Sequence, residues 1–363
     1  MRTVTVNSST SYNIEIGSGL LSASGKRIRQ LLPKATKALI VTDSNVADLY
    51  ARTVKSGLEA EGFEVYEYVF EAGEQSKNLK SIAGMWAAMA EAAFTRSDVL
   101  VALGGGVAGD MGGFAAACFL RGIAVVQIPT SLLAMVDASI GGKTGIDLPQ
   151  GKNQVGAFKQ PVIVIEDTDC LKSLPDELFT EGMGEVIKYA YIMDEDLYSI
   201  LKKAADEGRA LKIREDVELI EDIVYRCAAD KAYVIMKDEF DNGLRQTLNF
   251  GHTVGHVIER DSDFSLAHGV CVAKGMGIMI DASLATGRMT EEEAENMKSL
   301  IRAYDLPTED DITPEQAVSG AMNDKKKRGN TISLILVNKI GKAEIVDMTP
   351  DEFLSFLKAG YDI

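Results

Sequence analysis

The chain has 363 residues, of which 46% are hydrophobic and 25% charged, and its formal net charge is −16. This length is enough for two domains, and the composition is typical of a globular protein. The negative charge argues against nucleic acid or an anionic membrane as a partner, and no apolar run reaches the roughly 18 residues of a membrane-spanning helix. The four cysteines form no CxxC pair, which argues against a disulfide framework or a thiolate zinc site.

The first half of the chain alternates strand and helix patterns. Residues 1–17 alternate polar and apolar side chains, which predicts a strand pair and no secretion signal, so we expect a cytoplasmic protein. Apolar residues at three- and four-residue spacing predict helices over 45–62 and 76–94. This alternation indicates a Rossmann-like domain, with a parallel sheet covered by helices. Short apolar, β-branched runs predict its strands at 37–43, 64–70, 98–106, 123–131 and 160–167.

From about residue 174 the pattern becomes mostly helical. The runs TISLILV and KAEIVDM, on either side of NKIGK, predict one late hairpin. The predicted fold class is therefore α/β plus α, with a nucleotide-type domain over 1–173 and a mostly helical domain over 174–363. The predicted helices of the second domain span 174–193, 215–239, 252–259 and 268–287.

A glycine-rich loop follows the strand predicted at 98–106 and opens a helix. Gly104, Gly106 and Gly109 satisfy GxGxxG, a spacing that lets the backbone approach a phosphate at a helix N-terminus. The loop follows the third strand of the α/β pattern rather than the first, and the next strand ends without an acid to bind a ribose. Close packing of the helix on the sheet is an alternative reason for some of these glycines.

All three histidines of the chain, His252, His256 and His268, fall within one window of 17 residues. His252 and His256 lie one helical turn apart on one face, and Thr253 excludes the HExxH signature of a zinc protease. Glu185, on an earlier predicted helix, offers a carboxylate. Two imidazoles with a carboxylate and an open position suit catalytic zinc or a similar ion. Spacing alone leaves open which two histidines bind, and capping or core histidines are the alternative.

Cations and amides occur in the same segments as these candidate ligands. In an acidic protein, such a set indicates a pocket for a multiply anionic small molecule, although a solvated surface is the alternative for any single lysine. The set consists of Lys143, Lys152, Asn153, Lys188, Lys231, Arg245 and Asn249.

Seven motifs, in order from about residue 37 to 330, carry a resemblance to a known family. They are GEQSK, GGGVAGDMGGFAAACFLRG, IPTSLLAMVDASIGGKTGID, KNQVGAF, GMGEVIKY, LNFGHTVGH and NDKK. The chain resembles the 3-dehydroquinate synthase family of the sugar-phosphate cyclase superfamily, and Arg121, Arg245, Asn249 and His256 look like the dehydroquinate synthase branch. The resemblance implies an NAD- and metal-dependent lyase of the shikimate pathway that converts 3-deoxy-D-arabino-heptulosonate 7-phosphate to 3-dehydroquinate and phosphate. It also implies a homodimer.

The resemblance further implies the residues of the site. Residues 1–173 would form the NAD-binding domain, and zinc or cobalt would be held by Glu185, His252 and His268. The residues implied to contact NAD are Asp43, Gly73, Glu74, Gln75, Lys77, Gly105, Gly106, Val107, Gly109, Asp110, Thr130, Ser131, Asp137, Lys143, Lys152, Leu171 and Lys172. The residues implied to contact the substrate or to act in catalysis are Arg121, Asp137, Lys143, Asn153, Lys188, Lys231, Arg245, Asn249, His256 and Lys325.

One departure from the family pattern touches the candidate metal ligands. The family's HGEAV reads HGVCV here, so Val270 replaces a glutamate. Because hydrogen-bond partners orient metal-binding imidazoles, this change leaves the support of the His268 ring open.

Three other functions remain as alternatives. A sister cyclase acting on glucose 6-phosphate or sedoheptulose 7-phosphate would give Arg245 no substrate carboxylate to bind. A metal-dependent polyol dehydrogenase would accumulate NADH and would not need so many cations for a phosphate. A catalytically silent NAD-binding protein would have no reason to keep Glu185 and Lys188 together with the histidines.

Overall fold

The computed structural model describes residues 1–323 and 331–361, and the chain divides into two compact units. The first unit comprises Met1–Pro175 and Val217–Glu239, and the second comprises Asp176–Asp216 and Phe240–Ile363. Lys325, which the family resemblance implies as a substrate contact, lies outside the described residues. Within the described ranges, no helix combines the length and the apolar character needed to span a membrane.

The first unit is built on a seven-stranded sheet. The strands of the chain are β1 (Arg2–Asn7), β2 (Ser11–Gly17), β3 (Lys37–Asp43), β4 (Glu64–Phe70), β5 (Val99–Gly104), β6 (Ala124–Pro129), β7 (Lys143–Leu148), β8 (Gly151–Phe158), β9 (Ile163–Asp167), β10 (Ile332–Lys339) and β11 (Lys342–Met348). The sheet has the order β1-β2-β9-β6-β5-β3-β4; its β1–β2 pair is antiparallel and the others are parallel. The predicted strands are therefore confirmed, whereas the β7–β8 hairpin was not predicted.

Helices cover this sheet and make up most of the second unit. They are α1 (Ser24–Leu31), α2 (Ser44–Val46), α3 (Arg52–Ala60), α4 (Leu79–Glu91), α5 (Gly106–Cys118), α6 (Asp176–Ile192), α7 (Glu195–Asp206), α8 (Val217–Lys237), α9 (His252–Asp261), α10 (His268–Ala285), α11 (Glu291–Ala303), α12 (Pro314–Asn323) and α13 (Pro350–Tyr361). Leu39 and Leu100 of the sheet belong to one core with Met85 of α4 and Met111 of α5. Every residue of β5 is buried, as expected for a central parallel strand.

Helix α8 returns the chain to the first unit. It packs against β1 and β2, and its Asp222 forms an ion pair with Arg2 at the start of β1. The prediction of one domain boundary, after residue 173, did not place α8 in the first unit. Periodicity identifies a helix, but it does not say which hydrophobic core the apolar face of that helix joins.

In the second unit, α10 is the central helix. It packs against α6, α9, α11 and α13, and Val272, Met276 and Ile280 along its length are fully buried. The predicted late hairpin is confirmed as the antiparallel pair β10–β11.

Two buried acids of the first unit differ in their partners. Asp98 accepts hydrogen bonds from the backbone N–H groups of Thr36, Lys37 and Thr95, which outweigh the effect of its burial and lower its pKa. Glu166 on β9 is fully buried, and neither of its carboxylate oxygens has a hydrogen-bond partner among the described residues. Burial therefore raises the pKa of Glu166 well above its usual value.

The raised pKa of Glu166 predicts a stability that falls with rising pH. The folded state binds the proton of the Glu166 carboxyl more tightly than the unfolded state does. The resulting contribution to the free energy of unfolding is complete below the unfolded pKa, and it is lost as the pH rises toward the folded pKa. The loss is about 1.4 kcal/mol per pH unit across that window. We expect Glu166→Gln to flatten the decrease in thermal midpoint as the pH rises above about 5. Glu91→Gln, at an exposed site on α4, is the control. Parallel curves for Glu166→Gln and the parent would contradict the prediction.

Candidate functional site

Glycines let the helices of the candidate metal centre approach one another through their backbones. A Cβ on Gly269 of α10 would lie 1.9 Å from the carbonyl oxygen of Glu181 on α6. A Cβ on Gly275 of α10 would lie 2.0 Å from the carbonyl oxygen of Gly251, at the start of α9. Both distances are too short for any side chain, so only glycine at these crossings allows α10 to lie this close to α6 and α9.

This packing brings together one carboxylate and two imidazoles. Oε1 of Glu185 lies 3.3 Å from Nε2 of His252 and 3.4 Å from Nε2 of His268. Glu185 is 1% exposed, and its Oε1 has no hydrogen bond of good geometry in the described part of the chain. Its other oxygen, Oε2, accepts a hydrogen bond from Lys188, which is equally buried. A buried carboxylate oxygen facing two Nε2 atoms fits a divalent metal ion.

The Nδ1 atoms of both rings are held by acceptors. Nδ1 of His252 donates to the carbonyl oxygen of Phe250 at 3.1 Å, and Nδ1 of His268 donates to Oε2 of Glu259 at 3.2 Å. Because each acceptor requires the proton on Nδ1, each Nε2 is the atom that can bind a metal. In both rings, Nε2 therefore faces Glu185 and is the nitrogen left for a metal ion.

The charges around Glu185 oppose the effect of its burial. Burial alone would raise its pKa, but Lys188 and His252 outweigh burial and hold the pKa well below its usual value. Burial lowers the pKa of His252 to about 4, which keeps this ring neutral near pH 7. Burial acts in the same direction on His268, but its contacts with Glu185 and Glu259 prevail and raise its pKa to about 10. A metal ion that binds Nε2 of His268 must therefore displace a proton.

His256 lies beside the other two histidines. Ligand nitrogen atoms of the three rings lie within 4.8 Å of one another, and the ring centroids of His252 and His256 are 5.3 Å apart. Arg245 and Asn249 occur on the short helix that precedes α9; Arg245 is 3% exposed, and Asn249 donates to the carbonyl of Gln246. The structure thus gathers the three histidines with Glu185 and Lys188, as the sequence indicates.

The glycine-rich loop of the first unit has features that suit both of the purposes considered for it. Gly104 ends β5 with φ +151°, a conformation that favours glycine, and Gly105 precedes the first turn of α5. Backbone N–H groups at such a helix start can face a phosphate. Further along α5, a Cβ on Gly109 would lie 2.8 Å from Oε1 of Gln127, and one on Gly113 would lie 2.3 Å from Thr144. These later glycines therefore allow α5 to pack closely on β6 and β7.

A buried lysine organises several of the predicted cofactor and substrate residues of the first unit. Lys77 is 5% exposed, and its Nζ lies 2.6 Å from Oδ1 of Asn153 and 2.7 Å from Oδ2 of Asp110. Its Nζ is also 3.6 Å from Oε1 of Glu74, which in turn lies 4.0 Å from Nζ of Lys152. The sequence motifs that contain these residues are far apart in the chain, and the fold brings them into one cluster.

A second pair in the first unit joins α8 to the segment after β6. Nζ of Lys231 lies 2.7 Å from Oδ1 of Asp137 and donates to the backbone carbonyl of the same residue at 2.6 Å.

Arg121 is exposed, with φ +66°, and its neighbour Leu120 has φ +49°. Two successive non-glycine residues in this conformation indicate local strain of the kind found at functional turns.

Several other residues predicted to contact NAD differ in their burial and in their hydrogen bonds within the first unit. The carboxylate of Asp43 accepts from the N–H groups of Asn45 and Val46 and so caps α2. Ser131 accepts from the N–H of Ala134, and Thr130 donates its N–H to the carbonyl of Gly104. Leu171 is fully buried, whereas Lys172 is exposed and pairs with Asp169. Gly73 has φ +121°, and Gln75 folds back to the carbonyl of Ala72.

One acid that was not predicted contacts His268. Glu259 accepts the hydrogen bond from its Nδ1. Glu259 therefore provides the side-chain hydrogen-bond acceptor for the His268 ring that Val270 cannot provide. Glu259 follows His252 by seven residues, a spacing that places both on one face of α9 and was visible in HTVGHVIE.

Two family models match the chain and together cover more than half of it. One is described as 3-dehydroquinate synthase N-terminal and matches residues 67–181. The other is described as 3-dehydroquinate synthase C-terminal and matches residues 182–327.

Known proteins resemble the chain over almost its whole length. The 3-dehydroquinate synthases of Clostridium acetobutylicum and Streptococcus sanguinis are each 42% identical to it, over 350 and 349 residues. These alignments cover 96% of this chain in both cases, and 96% and 97% of the two relatives. A solved 2-epi-5-epi-valiolone synthase from Streptomyces hygroscopicus, with NAD+ and Zn2+ bound, has a TM-score of 0.88 at 25% identity. That comparison covers 100% of this chain and 99% of the other.

The close approach of α6 and α10 predicts that a methyl group at their crossing disturbs metal binding. We expect Gly269→Ala to weaken zinc affinity by about tenfold or more, because it separates Glu185 from His268. Gly277→Ala is a matched control, since its Cβ would lie 2.0 Å from the carbonyl oxygen of Thr308, away from α6. Affinities are measured by chelator competition on folded protein. Equal losses of affinity in the two variants would show that general destabilisation is the cause.

Proposed function

The chain belongs to the 3-dehydroquinate synthase family, and on that premise we propose which of its residues carry the reaction. The protein is a carbon–oxygen lyase of the shikimate pathway that converts 3-deoxy-D-arabino-heptulosonate 7-phosphate to 3-dehydroquinate and inorganic phosphate. The reaction proceeds by transient oxidation with NAD, phosphate elimination, re-reduction and intramolecular aldol closure. There is no net redox change, so the role of the protein is to bind, orient and transfer protons.

The convergence of Glu185 Oε1 with the Nε2 atoms of His252 and His268 is the observation that most directly supports this function. These three residues are the proposed ligands. When bound, a divalent ion such as zinc or cobalt acts as a Lewis acid toward a substrate oxygen. Lys188 donates to the other oxygen of Glu185, so its ammonium group lies beside the ligands and can hold or release a proton at the substrate hydroxyl.

His256 is proposed to bind the substrate rather than the metal. Its ligand nitrogen is close enough to those of His252 and His268 for a three-histidine site. With Glu185 also present, such a site would have four protein ligands, and catalytic sites keep an open position for the substrate. Three ligands with His256 at their edge satisfy this requirement.

The first unit is proposed to hold NAD at the loop between β5 and α5. The backbone of Gly105 and Gly106 at the helix start suits the diphosphate, and the strained turn at Gly104 gives it access. Lys77 holds Asp110 and Asn153 by direct contacts and thereby orders the wall of this region. Further proposed NAD contacts, carried over from the family, are Asp43, Gly73, Glu74, Gln75, Val107, Gly109, Thr130, Ser131, Asp137, Lys143, Lys152, Leu171 and Lys172.

Cations and amides are proposed to bind the two anionic ends of the substrate. Arg245 suits the carboxylate, because a guanidinium binds a carboxylate through two parallel hydrogen bonds. Lys143, Lys152 and Asn153 suit the phosphate. Asp137 pairs with Lys231 and so keeps that ammonium group in place. The other proposed substrate contacts are Arg121, Asn249 and Lys325.

The family resemblance also supports a homodimer that acts in the cytoplasm. Sedimentation equilibrium tests the first point, since a dimer has twice the chain mass of 39.2 kDa.

Phosphate release without accumulation of NADH is the test of the reaction. With 3-deoxy-D-arabino-heptulosonate 7-phosphate, NAD and zinc, we expect stoichiometric phosphate and no net change in NADH absorbance, because the cofactor is re-oxidised in each cycle. A chelator and the variant His268→Ala should each abolish phosphate release. Phosphate from a carboxylate-free sugar phosphate, but not from this substrate, would instead indicate a sister cyclase. Net NADH without phosphate would indicate a dehydrogenase.

The proposed ligand set predicts different results for neighbouring histidines. We expect His252→Ala and His268→Ala to lose stoichiometric metal, because each removes one of three ligands. His256→Asn should keep the metal and lower kcat by about 10²- to 10⁴-fold, since an amide cannot exchange a proton with the substrate as an imidazole can. Metal content by atomic spectroscopy and steady-state kinetics separate the two outcomes. Loss of metal from His256→Asn would make His256 a ligand.

A further inference from the structure

The ring of His268 contacts an acid that belongs to another helix. Oε2 of Glu259, on α9, accepts the hydrogen bond from Nδ1 of His268, the first residue of α10. Glu259 is 6% exposed, so this carboxylate is largely shielded from water. A shielded carboxylate that accepts from an imidazole orients the ring and makes the opposite nitrogen more basic.

Helix α9 supplies both a proposed ligand and the acceptor for another one. His252 and Glu259 are separated by seven residues, which is close to two helical turns, so both side chains lie on the face that meets α10. The two proposed imidazole ligands differ in their acceptors. His252 donates to a neutral backbone carbonyl, whereas His268 donates to a charged carboxylate. A charged acceptor gives the stronger hydrogen bond and the more basic nitrogen.

We propose that Glu259 is a positioning residue that fixes the orientation of His268 and increases the affinity of the site for its metal ion. This inference rests on the ligand set of the proposed function. Position 270, where the family pattern has a glutamate, holds Val270, which has no group to accept a hydrogen bond. The carboxylate of Glu259 therefore provides the charged acceptor that His268 requires.

The test measures metal affinity rather than activity alone. We expect Glu259→Ala to raise the zinc dissociation constant about 10- to 100-fold, and Glu259→Gln to raise it less than about tenfold, because the amide oxygen still accepts from Nδ1 but carries no charge. The visible absorption spectrum of the cobalt-loaded protein should change in Glu259→Ala, since a ring that turns alters the ligand field. Partial recovery in Glu259→Gln distinguishes a hydrogen-bonding role from simple filling of space.

A second variant on the same helix controls for destabilisation of α9. Val257 is buried and faces α12, where a Cβ on Gly320 would lie 2.5 Å from its side chain. Val257→Ala should weaken α9 packing but change the zinc dissociation constant by less than about twofold, because it leaves both Nδ1 contacts intact. An unchanged constant in Glu259→Ala, or an equal loss in Val257→Ala, would overturn the inference. If the parent binds no metal, or His268→Ala retains it, the proposed ligand set fails instead.

Discussion

The candidate metal centre depends on the backbone contacts of α10 with α6 and α9. Glu185 and His268 face each other across the crossing at Gly269, and His252 reaches them because Gly275 lets the start of α9 lie against α10. A methyl group at either glycine would move one ligand relative to the others. Because a metal site needs its ligands held within about half an ångström, the proposed ligand set depends on glycine at both positions.

The same packing buries several charged side chains beside one another. Glu185 and Lys188 are almost completely buried, and burying an ion pair seldom stabilises a protein, because the loss of hydration is about as large as the attraction. His268 and Glu259 add a second pair beside the first. A divalent ion bound there would replace a proton of His268 and place positive charge next to Glu185, so these buried charges suit the proposed metal site better than they suit stability.

The sequence predicts those features that depend on local pattern. Strand β3 has the predicted limits because it is a short apolar run between turns, whereas β4 buries only its last residue although it was predicted in the same way. The clustering of three histidines indicates the candidate metal centre. The β7–β8 hairpin was missed because β8 is largely exposed and rich in glycine and polar residues. The contact between Glu259 and His268 joins two helices, so its geometry depends on their packing, which periodicity does not contain.

The glycine-rich loop shows why a sequence motif alone does not reveal whether its glycines are needed for helix packing or for binding a phosphate. Gly104 provides a turn with positive φ just before the start of α5, where a phosphate could bind, while Gly109 and Gly113 allow the same helix to lie close to the sheet. Both requirements favour glycine, so GxGxxG cannot separate them. They also depend on each other, because a helix start can face a ligand at the sheet edge only if the helix itself lies close to the strands. The close packing of α5 and the exposure of its first turn to a phosphate would therefore be two consequences of one geometry.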